Sequence, residues 1–250
     1  MNKKILLIGG SGNLGSEIIK SGLFTNIHFP RRNKFDLRNL KGIKEYIRKN
    51  NFNIIINCAS LARVKDCENN KSLTIDNNIL GTLNLVKAIQ DYEIKKKKKI
   101  ILIQISTDAV YPSLKGNYKE NSKLGPYNVY GWSKLASEFL VRVLEKVIII
   151  RTRFYKKNLI KYKYSANDIF TSQTDISLMP KYIYYLIKDR FFGIINIGDS
   201  KKSDYEIYKK IKPSLKAFKR KNLIKNLGFE IAKDASLNLK KFNKIRKKYE

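Results

Sequence analysis

The chain is poor in the residues that build metal centres and disulfide frameworks. Its 250 residues include one histidine, His28, and two cysteines, Cys58 and Cys67. A single imidazole excludes a metal site with several histidine ligands, and two thiols make neither a disulfide framework nor a zinc site. Cys58 ends an apolar run and Cys67 lies in a polar stretch, so both are expected in ordinary packing or surface roles, with no metal bound. Long apolar runs are missing too: nothing approaches the roughly 20 uninterrupted apolar residues of a membrane span. The run Ile5-Leu6-Leu7-Ile8 is too short for a signal peptide and leads into glycines rather than a cleavage site. It reads as the first strand of a cytoplasmic protein without membrane insertion.

Acidic residues are scarce, 21 Asp and Glu against 52 Lys and Arg, for a net charge of +31. Such a field attracts nucleic acid, anionic membrane surfaces and phosphorylated small molecules. The lysines are spread over many segments and form no stripe with interleaved aromatics. A general over-use of lysine, without a specific nucleic-acid partner, is the expectation; a nonspecific nucleic-acid or membrane-surface binder stays as an alternative.

Hydrophobic residues make up 43% of the chain, enough for a sizeable core. Apolar strand-like runs at 4–8, 25–29, 52–58, 99–105 and 147–151 alternate with helical patterns at 14–21, 40–49, 73–92 and 130–144. Alternating strands and helices with continuously apolar strands predict an α/β fold, a doubly wound parallel sheet of the Rossmann kind. The five lysines at 95–99 suit a helix C-terminus, where cations favour the dipole. After about Thr152 the alternation degrades. The expected division is 1–155 as the dinucleotide-binding domain, with a strand near 194–198 returning to it, and 156–250 as a small, mostly helical substrate-binding lobe.

Glycine is concentrated where the first strand should turn into the first helix, in Gly9-Gly10-Ser11-Gly12-Asn13-Leu14-Gly15. Glycine is needed where a turn takes φ > 0 and where backbone must touch a pyrophosphate; the helix beyond offers free N–H groups. The strand-before, helix-after context is what a dinucleotide fingerprint requires. The tip of the second strand carries no carboxylate and is followed by Pro30-Arg31-Arg32. Guanidinium groups there suit a 2′-phosphate, so NADP(H) is favoured over NAD(H). Solvated loop cations are the other reading of Arg31 and Arg32. Asp36 follows and can meet an adenine amino group instead.

Tyr130 and Lys134 stand four apart on a predicted helix and share one face. Bringing a phenol from a pKa near 10 to near 7 takes about 4 kcal/mol. A neighbouring ammonium supplies part of that, and an oxidised nicotinamide adds to it. Tyr130 is then expected to exchange a proton with a carbonyl oxygen while hydride moves at the carbon. Thr107 ends the preceding strand at the carboxyl edge, where its hydroxyl can hold the substrate oxygen. Lys134 can also hydrogen-bond the nicotinamide ribose. A routine amphipathic Tyr/Lys pair is the alternative, weakened by the glycine turn and Thr107 occurring together.

These residues resemble the extended short-chain dehydrogenase/reductase superfamily, and within it the dTDP-4-dehydrorhamnose reductases and their nucleotide-sugar relatives. The similarity runs through the glycine turn, Ile54-Ile55-Ile56-Asn57-Cys58-Ala59, Val64-Lys65-Asp66-Cys67-Glu68 and Asn78-Ile79-Leu80-Gly81-Thr82-Leu83-Asn84-Leu85. It continues through Ser106-Thr107-Asp108-Ala109-Val110-Tyr111, Asn128-Val129-Tyr130-Gly131, Ser133-Lys134-Leu135-Ala136, Glu138, Arg151-Thr152, Asn196-Ile197-Gly198 and Ala235-Ser236-Leu237-Asn238. The resemblance implies Thr107, Tyr130 and Lys134 as a catalytic triad. It implies cofactor contacts at Gly9, Gly12, Asn13, Leu14, Gly15, Asp36, Leu37 and Ala59, with Ser60 and Leu61 bordering the nicotinamide side. The implied activity is NAD(P)H-dependent reduction of a keto group on a nucleotide-linked sugar. A nucleotide-sugar epimerase or dehydratase and a non-catalytic NADP-binding regulatory subunit are the alternatives. Two departures stand out: the segment between Tyr155 and the strand at Ile194 is short for the family, and Arg31-Arg32 replaces an acidic residue. A homodimer is the base-rate oligomer.

Overall fold

The structure, a computed structural model, describes residues 3–250. Six parallel strands form the central sheet: β1 (Ile5–Ile8), β2 (Ile27–His28), β3 (Ile54–Asn57), β4 (Ile101–Thr107), β5 (Val147–Thr152) and β10 (Gly193–Ile197), ordered β10-β5-β4-β3-β1-β2. The helices of the first part are α1 (Asn13–Lys20), α2 (Leu40–Asn50), α3 (Val64–Asn69), α4 (Lys71–Thr74), α5 (Gly81–Lys96) and α6 (Val129–Val141). The later part adds β6 (Phe154–Tyr155), β7 (Tyr164–Ala166), β8 (Phe170–Thr171), β9 (Thr174–Asp175), β11 (Lys202–Ser203) and β12 (Lys216–Phe218), with α7 (Met179–Lys188), α8 (Asp204–Ile211), α9 (Arg220–Leu227) and α10 (Lys240–Arg246).

Strand side chains alternate between two buried faces. Leu7, Ile56, Ile103, Ile150 and Ile197 face a core shared with α1, α7 and α10; Leu6, Ile55, Leu102 and Ile149 face one shared with α2 and α5. A buried isoleucine contributes about 1.5–3 kcal/mol relative to exposure, and burial on both faces explains why these strands are apolar throughout. The chain reverses winding direction between β1 and β3, so the carboxyl ends of β1, β3, β4 and β5 open into one crevice.

Three expectations need correction. The second strand is only Ile27–His28, not 25–29: it is an edge strand with a single neighbour, and Pro30 has no N–H to extend the ladder. The helix expected over 73–92 is interrupted, because Ile75–Leu80 winds as a π-helix. The Asn78 carbonyl there accepts from the Thr82 hydroxyl and from the Ser137 hydroxyl of α6, both at 2.7 Å. The later segment is less helical than expected, since short β6–β9, β8–β11 and β7–β12 pairs intervene. Its helices α7 and α10 pack through Met179, Ile183, Leu186, Phe242 and Ile245 into the same core as β1 and α1, so the sheet layer draws on residues from both sides of position 155.

Candidate active-site crevice

Gly9 has φ +81, and a Cβ on it would lie 2.8 Å from the Ala59 nitrogen at the end of β3. A Cβ on Gly15 would lie 2.2 Å from the Gly9 carbonyl oxygen. Any side chain at Gly15 would push α1 off the turn, so the glycine spacing is a steric requirement of bringing a helix N-terminus up to a strand end. Two adjoining cavities of about 330 Å³ each flank the turn, and both are lined by Gly9, Gly12, Cys58 and Ser60. One adds Asn13, Leu14, Gly15, Thr107, Asp108, Tyr127, Tyr130, Lys134 and Arg153. The other adds Arg32, Asp36, Leu37, Ala59 and Leu61. A cleft lined by bare backbone and a helix N-terminus fits a dinucleotide pyrophosphate.

In the first cavity, α6 carries Tyr130 and Lys134. Asn128 caps that helix by accepting from the Gly131 N–H at 2.7 Å, and the Val129 N–H donates to Glu68 Oε1 of α3 at 2.8 Å. Gly131 lets the helix close on the loop after β4, for a Cβ there would meet the Ala109 carbonyl at 2.4 Å. Lys134 is 4% exposed, and burial lowers its pKa to about 8, with Glu138 one turn on opposing that fall. Glu138 is clamped: Arg151 donates to it at 2.6 and 3.0 Å, and the Ser106 hydroxyl donates at 2.5 Å. Cys58 beside Lys134 is pushed up to about 12 by burial and stays a neutral thiol.

The expected acidification of Tyr130 is not seen. Its phenol is held above its ordinary value, first by burial and then by the Asp108 carboxylate, while the Thr107 hydroxyl and Arg153 pull the other way. The Thr107 hydroxyl donates to Asp108 Oδ1 at 3.1 Å and accepts from the Ala109 N–H at 3.2 Å. With its own proton committed, it can take a hydrogen bond from a neighbouring phenol. Without further positive charge, the protonated phenol is the stable form, which is the proton-donating form.

In the second cavity Arg32 and Arg31 part company. Arg32 lines the wall and donates to Asn77 Oδ1 at 2.7 Å, whereas Arg31 is not part of the lining. Asp36 is held down to about 2 by Arg38, which donates to it at 2.7 and 3.1 Å. The acid expected to face adenine is thus already engaged.

A model of the RmlD substrate binding domain matches residues 3–161. The chain belongs to that family. Over 131 residues it is 30% identical to a bifunctional UDP-glucose 4-epimerase and UDP-xylose 4-epimerase of Pisum sativum, covering 52% of this chain and 35% of the pea enzyme. Over 168 residues it is 30% identical to a dTDP-4-dehydrorhamnose reductase of Aggregatibacter actinomycetemcomitans, covering 63% of this chain and 55% of that enzyme. The chain therefore spans only a part of the length of these two relatives. Its fold is that of a Bacillus anthracis dTDP-4-dehydrorhamnose reductase crystallised with NADP, with a TM-score of 0.87 at 22% identity over 97% of this chain and 92% of that one.

Several residues that shape this RmlD-type crevice carried no assigned role in the sequence reading. Asn78 pins the loop after β3 to α6: it accepts from the Leu61 N–H at 2.8 Å and donates to the Ser133 hydroxyl at 2.9 Å. In sequence Asn78 appears only as the first residue of a segment that carries the family resemblance, with nothing to show what it holds. Glu138 with Arg151, Arg38 and Arg153 are likewise ordinary charges in sequence. Among the described residues no cluster of metal-binding side chains occurs, and no helix is long and apolar enough to cross a membrane.

Proposed function

We propose that the chain is an NAD(P)H-dependent oxidoreductase of the short-chain dehydrogenase/reductase type that reduces a keto group on a nucleotide-linked sugar, in the manner of a dTDP-4-dehydrorhamnose reductase. The observation that carries this reading is that Thr107, Tyr130 and Lys134 line one cavity with the glycine turn, at the carboxyl edge of the parallel sheet. The names of the reductase relatives support it.

Gly9, Gly12, Asn13, Leu14 and Gly15 would hold the pyrophosphate through backbone N–H groups, and Ala59, Ser60 and Leu61 would border the path to the ring. A bound reduced nicotinamide supplies the hydride. Tyr130 supplies the proton to the keto oxygen, and burial keeps its phenol protonated until that oxygen arrives. Thr107 fixes the phenol. Lys134 places an ammonium at the base of the pocket and can hold a ribose hydroxyl. NADP(H) is favoured over NAD(H): Arg32 stands at the cavity wall, and Asp36 is engaged by Arg38. A nucleotide-sugar substrate is also consistent with the strongly basic chain.

The test is NADPH oxidation against a panel of 4-keto sugar nucleotides, with Tyr130→Phe as the variant. We expect kcat to fall by roughly 10²–10⁴-fold with little change in NADPH affinity; unchanged turnover would remove Tyr130 as the acid. The 4-epimerase named among the relatives gives a second reading, which requires a cofactor kept through both half-reactions. NAD retained stoichiometrically by purified protein would favour it, and freely exchanging NADPH the reductase.

A further inference from the structure

Among the described residues, three buried side-chain atoms lack a hydrogen-bond partner: Asp108 Oδ2, Arg153 Nη1 and Thr174 Oγ1. Two of them face each other: Arg153 Nη1 lies 3.9 Å from Asp108 Oδ2. That distance is too long for a direct hydrogen bond, so both charged atoms stay unsatisfied. Native structures rarely leave such groups orphaned unless something else completes them.

The position is telling. Asp108 follows Thr107, and Thr107 pairs with Thr152 across β4 and β5, so Arg153 stands at the same sheet edge on the next strand. Both line the cavity that holds Tyr130 and Lys134. The Asp108 side chain is 5% exposed and fixed by Thr107, whereas that of Arg153 is 38% exposed and can adjust. Arg153 also feels Asp204 at the start of α8, whose Oδ1 already accepts from Gln173 at 2.8 Å. An anionic ligand would therefore meet two carboxylates beside the one guanidinium. A hydroxyl faces no such conflict: it accepts from the guanidinium and donates to the carboxylate.

We propose that Asp108 and Arg153 form a subsite for a substrate hydroxyl beside the reacting carbonyl, with Arg153 as its specificity-determining residue. One carboxylate then serves two neighbours, Oδ1 holding the Thr107 hydroxyl and Oδ2 taking the substrate hydroxyl. The short span of a carboxylate places that hydroxyl on the carbon next to the keto carbon. The inference deepens the keto-sugar reading and rests on it.

The experiment uses pairs of 4-keto sugar nucleotides that differ only by a hydroxyl or a hydrogen at the carbon next to the carbonyl. A site built to hydrogen-bond a hydroxyl discriminates strongly against the analogue lacking it. We expect wild-type kcat/KM to favour the hydroxylated member by about 100-fold or more, Arg153→Met to cut the preference to about fivefold or less, and Arg153→Lys to restore part of it. Equal rates for both members in the wild type, or an undiminished preference in Arg153→Met, would overturn the proposal. Turnover of neither member would count against the keto-sugar reading instead. The subsite is then read by calorimetric binding of the same pairs to Tyr130→Phe with NADPH present. Tighter binding of the hydroxylated member, lost in Tyr130→Phe/Arg153→Met, supports the proposal, and equal binding sinks it.

Discussion

The two halves of the crevice are built from different material. The half around the glycine turn is made of backbone: Gly9 and Gly15 let a strand end, a helix N-terminus and the Ala59 loop approach to contact. The half around α6 is made of side-chain charge, buried at Lys134, Glu138, Arg151 and Asp108 and partly exposed at Arg153, converging from α6, β5 and the ends of β4 and β5. The first half is a problem of volume, solved by leaving atoms out. The second is a problem of solvation, solved where charges pair, as in Glu138 with Arg151, and left open where they do not, as in Asp108 with Arg153.

The sharpest way to break the charged half is Glu138→Gln. It leaves the fully buried Arg151 guanidinium without its counter-charge and is expected to destabilise by about 3–5 kcal/mol, read by urea denaturation. Loss of less than about 1 kcal/mol would mean that this pair is not holding α6 against β5. The backbone half is broken by Gly15→Ala, whose Cβ would sit 2.2 Å from the Gly9 carbonyl. We expect a cost of about 3 kcal/mol and loss of NADPH binding. Gly22→Ala is the contrast: nothing lies within 4 Å, φ is +65, and only the left-handed conformation costs, about 1 kcal/mol.

A gain of stability separates the halves further. The folded Lys134 titrates near 8 instead of 10.5 because burial disfavours its ammonium. Below pH 8 both folded and unfolded states are protonated and the full penalty is present. Between 8 and 10.5 only the unfolded state holds the proton, so stability rises with pH. Lys134→Met should therefore stabilise the protein at pH 7 by about 1–3 kcal/mol while removing activity, and should flatten the stability profile across that window. Thermal melts at pH 7 and pH 10 read this, and a destabilised variant would overturn it. Activity should have the opposite slope: wild-type kcat/KM is expected to fall above about pH 8 as Lys134 loses its proton. The smallest effect sharpens the nucleotide half. Arg32→Ala should weaken NADPH binding about tenfold, about 1.4 kcal/mol, with little change for NADH. Arg31→Ala should do neither, since Arg31 lies outside the cavity lining. Equal losses in both variants would show a diffuse cationic field rather than a placed guanidinium.

Much of the frame was legible because it depends on neighbours in sequence. Continuous isoleucine runs mark strands buried on two faces, and glycines at a strand–helix junction have few other uses. Tyr130 and Lys134 share a helix face because they are four apart. What was not legible depends on how turns fold back and how distant segments meet. The π-turn at Ile75–Leu80 is accompanied by a hydrogen bond from Ser137, on another helix, to the Asn78 carbonyl. Asp36 lines the cavity but is also gripped by Arg38, two residues away, because the turn after β2 folds that guanidinium back on it. Burial and Asp108 hold the Tyr130 phenol above its ordinary value, and neither is visible in the spacing of Tyr130 and Lys134.

The sequence by itself determined the alternation of strands and helices, the turn that only glycine can make, and the residue types available for proton transfer, since these follow from local sterics and periodicity. Only the tertiary structure decided which charges are buried, which are paired and which are left waiting at the sheet edge. Desolvation and pairing are properties of the space that distant segments enclose together, and no single segment carries them.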